Sequence, residues 1–257
     1  MATSRAFDAW VTCPSPNPKA RLRLFCFPYA GGSASLFRTW ADDVPPEVEV
    51  CPVQLPGRES RFREPCFTRL MPLVHTLGEV LWPYLTLPFA FFGHSMGALI
   101  SFELTRYLRQ RGRTLPQHLL LSAHRAPQLP DRQPPIHHLP DALFLEELRQ
   151  LNGIPGEVLD NVELMELMLP LLRGDFAVAE TYVYREDSPL PCPITAFGGL
   201  EDEEVNEEEV GAWHEQTTST FTRHMMPGDH FFLVKHRLAL MPLIAQELTQ
   251  ILARTTG

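Results

Sequence analysis

The stretch Phe89-Ala-Phe-Phe-Gly-His-Ser-Met-Gly97 decides the fold. It is an apolar, aromatic run that ends in Gly93-x-Ser95-x-Gly97 and passes directly into a helical pattern over 96–111, with Ile100, Leu104, Tyr107 and Leu108 on one face. A strand that turns this abruptly into a helix crowds the side chains at both flanking positions. Glycine there frees Ser95 to project its hydroxyl at the helix N-terminus, where developing negative charge is favoured. Outside a strand, turn and helix the same string is an ordinary serine turn; inside them it marks a candidate nucleophile.

Outward from this point, short apolar runs alternate with longer helical patterns. That alternation predicts stacked βαβ units, an α/β chain with a mostly parallel central sheet flanked by helices. Strands are expected at 22–27, 48–53, 89–92, 118–122, 194–197 and 222–226, with helices near 35–42, 70–84, 96–111, 207–216 and 237–253. The interval between 122 and 194 breaks the pattern and carries helical signals alone. Asp141 is placed to cap an apolar face of Leu143, Phe144, Leu148 and Leu151; Val162, Leu164, Leu167, Met168 and Leu171 follow; 176–184 forms a third segment. A helical insertion at the carboxyl edge of a parallel sheet lies where ligands bind, so a lid is expected, a structural subdomain being the alternative. The expected organisation is one domain over 1–257 with a helical lid insertion at 127–187.

Composition narrows the function. A chain of 257 residues, 44% hydrophobic and 21% charged, can bury a substantial core, and disorder is excluded as its main state. Its 31 Asp and Glu against 22 Lys and Arg give a formal charge of −9, which argues against nucleic acid as a partner. No run approaches the roughly 18 apolar residues of a membrane helix, so no membrane association is expected. The first ten residues lack the apolar centre of a secretory signal, and the cytoplasm is the expected compartment. Five cysteines without a C-x-x-C pair read as thiols.

A serine hydroxyl at neutral pH needs a base within hydrogen-bond reach. Of the ten histidines, His230 stands in Pro227-Gly-Asp-His230 after the last strand, the position that gives the chain order serine, acid, histidine. His94 is read as packing across the elbow, and His124, ending a strand at the ligand edge, as lining the site. His137-His138 has no accompanying ligand set, so neither metal nor cofactor is expected. The acid belongs on the loop after the penultimate strand, Phe197-Gly-Gly-Leu-Glu-Asp202-Glu-Glu, where Asp202 is the first choice and Glu201 the second; Glu203 to Glu209 read as a solvated helix start. An oxyanion hole needs two backbone donors: Met96 after the nucleophile, and Ala30 or Tyr29 from Phe27-Pro-Tyr-Ala-Gly-Gly32.

In chain order, Phe25-Cys-Phe-Pro-Tyr-Ala-Gly-Gly32, Gln54-Leu-Pro-Gly-Arg-Glu59, Phe92-Gly-His-Ser-Met-Gly97, Leu151-Asn-Gly-Ile-Pro155, Gly199-Leu-Glu-Asp202 and Pro227-Gly-Asp-His-Phe-Phe232 together resemble the type II thioesterases. These are free-standing editing enzymes of nonribosomal peptide and polyketide synthesis, in the α/β-hydrolase superfamily. The resemblance implies an α/β-hydrolase fold with Ser95 as nucleophile, His230 as base, Asp202 as acid, and Met96 and Ala30 as oxyanion donors. It implies hydrolysis of acyl groups from the phosphopantetheine arm of an acyl or peptidyl carrier protein, with no cofactor; a monomer is expected. Asp229 departs from the family, which often has glycine there. A thiolate, with a reference pKa of about 8.5, leaves more readily than an alkoxide. A triad alone does not separate thioesters from oxyesters, so a carboxylesterase or lipase-like hydrolase, an acyltransferase and a binding module stand as rivals. Arg58, Arg61, Arg63 and Arg69 form the densest basic cluster, placed to dock an acidic carrier or to tie their own loop through Glu59 and Glu64.

Overall fold

The computed structural model describes residues 9–254; residues 1–8, most of the stretch read above for a signal segment, lie outside the described residues. Six strands form one parallel sheet: β1 (Leu22–Phe27), β2 (Val48–Pro52), β3 (Phe89–His94), β4 (Leu119–Ser122), β5 (Ile194–Gly199) and β6 (Phe221–Met226), in the order β2-β1-β3-β4-β5-β6. This is the α/β-hydrolase architecture. The central strands β1, β3, β4 and β5 are largely apolar on both sides because helices cover both faces of the sheet, whereas edge strand β6 exposes Thr222 and Arg223. Alternation assigns Phe25, Phe27, Phe91, Leu119 and Leu121 to one core, and Leu24, Cys26, Ala90, Phe92 and Leu120 to the other.

The first core is closed by α1 (Leu70–Leu81) and α2 (Met96–Gln110), the second by Trp40 and the C-terminal helix, α6 (Arg237–Arg254). Edge-to-face rings knit both, with Phe27 against Phe91 at 5.3 Å and Trp40 against Phe92 at 4.8 Å between centroids. Each such fully buried ring contributes roughly 1.5–3 kcal/mol of transfer free energy, enough to fix strand register on both faces. The expected helix at 35–42 forms instead as two short 3-10 turns, Ala34–Phe37 and Trp40–Asp42. Strand order reverses between β1 and β3, and the crevice at their carboxyl ends is where a parallel sheet binds ligands.

Between β4 and β5 lie α3 (Asp141–Gln150), a helical turn at Gly156–Leu159, and α4 (Val162–Glu180). Three details differ from expectation. Asp141 is the first residue of α3, with Pro140 at the cap position, and its carboxylate pairs with Arg173 of α4 at 2.5 Å. Leu143 faces outward, 49% exposed, while Phe144 and Leu148 carry the buried face. The second and third expected segments are one helix, which runs through Pro170. Proline removes one backbone donor there, yet Leu171, Leu172, Asp175 and Val178 bury at helical spacing just beyond it and hold the helix together.

Past β5, α5 (Glu207–Gly211) begins where the helical pattern at 207–216 places it and continues as a 3-10 turn over Ala212–Gln216. It is set by a capping box in which Asn206 accepts from the Glu209 N–H and Glu209 accepts from the Asn206 N–H, both at 2.9 Å.

Candidate active site

Ser95 sits between β3 and α2 at φ 53° and ψ −119°, a strained conformation for a residue with a side chain. The flanking glycines are required by space. A Cβ at Gly93 would lie 2.0 Å from the Gly97 carbonyl oxygen, and one at Gly97 would lie 2.1 Å from that of Phe27. Gly97→Ala is therefore expected to cost roughly 3 kcal/mol or more, the upper end of overpacking penalties, read as a loss in urea-unfolding free energy.

On the β6 side, His230 and Asp202 meet. The His230 Nδ1–H donates to Asp202 Oδ2 at 2.9 Å, and Asp202 Oδ1 accepts from the backbone N–H groups of Glu204 (2.9 Å) and Val205 (3.1 Å). Three donors thus fix a carboxylate whose side chain is fully buried. Glu201, the second choice for the acid, is exposed. Asp229 does not take the left-handed backbone that glycine would permit. Its carboxylate accepts from the Phe231 N–H at 3.0 Å and pairs with Lys235, bracing the His230 loop.

Ser95, Met96, Ala30, Tyr29, His124 and His230 line one cavity of about 220 Å³. Among the described residues, neither the Met96 N–H nor the Ala30 N–H donates to another group. A second, apolar cavity of about 270 Å³ adjoins it, sharing Tyr29, Ala30, Leu151, Phe176 and Phe231 and extending under α3 and α4 to Leu148, Val158, Met168 and Leu172. His124 faces the first cavity; burial, with Arg125 beside it, pushes its pKa down to about 4, so it is neutral near pH 7.

His94 packs as expected and also makes two hydrogen bonds. Burial, reinforced by His230 nearby, holds its pKa well below the usual value, so the ring is neutral. Nε2 therefore donates to the His230 carbonyl (2.9 Å), and Nδ1 accepts from the Ser122 hydroxyl (2.9 Å). With the folded pKa below the unfolded value of about 6.5, the unfolded state takes up the proton first. Stability is then complete above that pH and falls below it, by up to about 1.4 kcal/mol per pH unit, until the folded value is reached. Unfolding free energies measured from pH 4.5 to 7 are expected to show a shallower acid slope in His94→Gln than in wild type.

The basic cluster is a correction to expectation. Arg58 is 4% exposed and grips Asp175 of α4; Arg61 is 7% exposed, stacks on Trp10, and bonds Glu64 and the Gln54 carbonyl. Neither is available to a partner, because each is satisfied internally. Arg63 and Arg69 are exposed. His137 is likewise committed, its Nδ1 to Glu180 at 2.6 Å. Among the described residues no cluster of His, Cys, Asp or Glu converges as a metal site, and no helix is long and apolar enough to cross a membrane.

Some site residues escaped sequence reading. Glu204, assigned to a solvated run, lines the first cavity, and burial raises its pKa. Gly153 packs against Phe231, beside His230, so closely that a Cβ would meet the ring at 2.3 Å. Asp175 carried one signal: it is the lone carboxylate of α4 between Glu166 and Glu180.

The fold and the strained serine turn place the chain among the α/β-hydrolases. A family model described as "Thioesterase domain" matches residues 22–248, and the chain belongs to that thioesterase family and is a thioester hydrolase. It is similar to "Gramicidin S biosynthesis protein GrsT" of Aneurinibacillus migulanus, 48% identical over 246 residues and covering 96% of each chain. It is also similar to "Linear gramicidin dehydrogenase LgrE" of Brevibacillus parabrevis, 46% identical over 251 residues, 96% of this chain and 95% of that one. Among solved structures, the type II thioesterase BorB from the borrelidin biosynthetic cluster superposes with a TM-score of 0.85 at 39% identity, over 94% of this chain and 98% of that one.

Proposed function

We propose that the protein hydrolyses acyl thioesters from the phosphopantetheine arm of carrier proteins in peptide or polyketide synthesis, through Ser95, His230 and Asp202. The observation that carries this reading is the Asp202-bound His230 ring in the same cavity as the strained Ser95. With Nδ1–H held by Asp202, Nε2 is the ring's basic nitrogen and takes the Ser95 proton as Oγ attacks the thioester carbonyl. Met96 and Ala30 N–H groups stabilise the tetrahedral oxyanion. Its collapse breaks the C–S bond, the imidazolium returns its proton to the departing sulfur, and Ser95 is left acylated. His230 then deprotonates water, which attacks the ester and releases free acid and Ser95.

Two neighbouring cavities suit the two ends of this substrate. The apolar one beneath α3 and α4 takes the acyl chain, which makes the 127–187 insertion a lid. Met168→Trp and Leu172→Phe are expected to shorten the preferred chain, by about 1–3 kcal/mol of discrimination per excluded methylene, whereas Leu143→Trp, outward-facing, leaves the profile unchanged. Comparison of kcat/KM across a series of acyl-pantetheines measures this. Of the basic segment, Arg63 remains the candidate contact to an acidic carrier.

The names of the relatives support the biosynthetic setting, GrsT being named for gramicidin S biosynthesis and BorB for the borrelidin biosynthetic cluster. The dehydrogenase name of one relative finds no counterpart here: no two glycines stand two positions apart, so the G-x-G-x-x-G dinucleotide fingerprint is absent from the sequence. A panel of acyl-loaded carrier proteins, read by intact mass beside matched oxyesters, tests the reading. Loss of acyl groups from carriers with slow oxyester cleavage supports it; preferential oxyester cleavage contradicts it in favour of a carboxylesterase.

A further inference from the structure

We infer that Arg58 and Asp175 form a clamp that holds the oxyanion loop in its donating conformation, so that α4 contributes to transition-state stabilisation as well as covering the acyl chain. The inference rests on the assignment of Ala30 as an oxyanion donor. Arg58 meets Asp175 in a two-pronged pair, Nη1 to Oδ2 at 2.8 Å and Nη2 to Oδ1 at 2.7 Å, and both side chains are 4% exposed. The same two groups reach the loop backbone. Asp175 Oδ2 accepts from the Gly31 N–H at 2.7 Å, and Arg58 Nη1 donates to the Gly32 carbonyl at 2.7 Å.

The loop is held at further points. The Gly32 N–H closes the turn onto the Tyr29 carbonyl at 2.9 Å. Gln54 accepts from the Ala34 N–H at 3.0 Å and donates to the Arg58 carbonyl at 3.0 Å. Ala30 lies inside this frame, its N–H uncommitted among the described residues. Close packing brings α4 into reach: a Cβ at Gly174 would lie 3.0 Å from Cys66 Cβ and 3.1 Å from the Phe67 carbonyl oxygen.

Stability alone is a weak reason for such a pair, since desolvation offsets much of the attraction between buried charges. Here the pair fixes the main chain beside a catalytic donor, where small displacements of an oxyanion contact are costly. Because α4 also presents Met168, Leu172 and Phe176 to the apolar cavity, seating of the acyl chain and geometry of the oxyanion hole are coupled through one helix.

The test uses the full chain in three forms: Arg58→Met with Asp175→Leu, Arg58→Lys, and wild type. The paired apolar replacement removes the clamp without stranding a charge, so it is expected to fold and melt near wild type. Its kcat on an acyl-pantetheine should fall at least about tenfold with KM little changed, a fraction of the roughly 10²–10³ lost with a whole oxyanion donor. Affinity for an n-alkylboronic acid, which forms a tetrahedral adduct on serine, should fall in parallel, while affinity for the matched n-alkanol stays constant. Arg58→Lys should lie between the two, and it decides by the same criteria if the paired variant does not fold. Wild-type kcat and boronate affinity in the variants would overturn the clamp, as would equal losses for boronate and alkanol. Failure of wild type to bind boronate at Ser95 would instead overturn the active-site reading on which the clamp rests.

Discussion

Replacing Ser95 with alanine is expected to lower kcat by about 10³-fold or more while the protein folds and binds carrier as before, because only the oxyanion donors and substrate binding remain to accelerate the reaction. The hydroxyl is the one atom lost, and the strained backbone that presents it is set by Gly93, Gly97 and the close approach of β1. Circular dichroism and thermal melting should match wild type. Turnover of an acyl-pantetheine at a rate near wild type would remove Ser95 from the mechanism.

The second large effect concerns His230 and Asp202, the pair beside Ser95. His230→Ala and Asp202→Asn should each slow turnover by roughly 10³–10⁴-fold, the first by removing the base and the second by upsetting the tautomer that keeps Nε2 basic. Joined to Ser95→Ala, either should add little, since residues that act as a unit do not contribute additively. Asp202 accepts three hydrogen bonds, so asparagine can keep two backbone contacts through Oδ1 and lose chiefly the one to His230. Multiplying losses in the double variants would mean that the residues act separately. A silent Asp202→Asn beside a crippled Glu201→Gln would move the acid by one position.

The parts of this architecture that were legible in the sequence are those whose cause is local. Strands β1 to β5 are short, largely apolar runs bounded by proline, glycine or charge, and Gly93 answers to a steric demand from Gly97 within five residues, whereas Gly97 also answers to Phe27 of β1. The order of Ser95, Asp202 and His230 followed from where each loop leaves the sheet. Long-range partnership was not legible. Arg58 stands beside Glu59 in sequence, yet its partner Asp175 is 117 positions away. Glu64 does tie the loop, but through Arg61 three residues back rather than through the adjacent Arg63. A charge in a sequence reads as exposed until a distant counter-charge buries it.

The helical insertion failed in detail for a related reason. In α3, Leu143, Phe144, Leu145 and Leu148 form an apolar band wider than the surface available to it, so the pattern alone did not say that Leu143 would stay outside. In α4, the segments read as ending near Leu171 and beginning again at 176 are continuous, because tertiary contacts from Leu171 onward outweigh the one hydrogen bond missing at Pro170. The same contacts bring Asp175 to the Gly31 N–H in the loop after β1, which no periodicity could have indicated.

The central claim is that Ser95 is the nucleophile of a carrier-linked thioesterase. It is tested most directly by inactivating the protein with an alkyl fluorophosphonate and locating the adduct by peptide mass spectrometry. The account predicts one phosphonyl group, on Ser95, with thioesterase activity lost in proportion to labelling and no adduct in Ser95→Ala. An adduct on another residue, or full labelling of Ser95 with thioester hydrolysis undiminished, would contradict it.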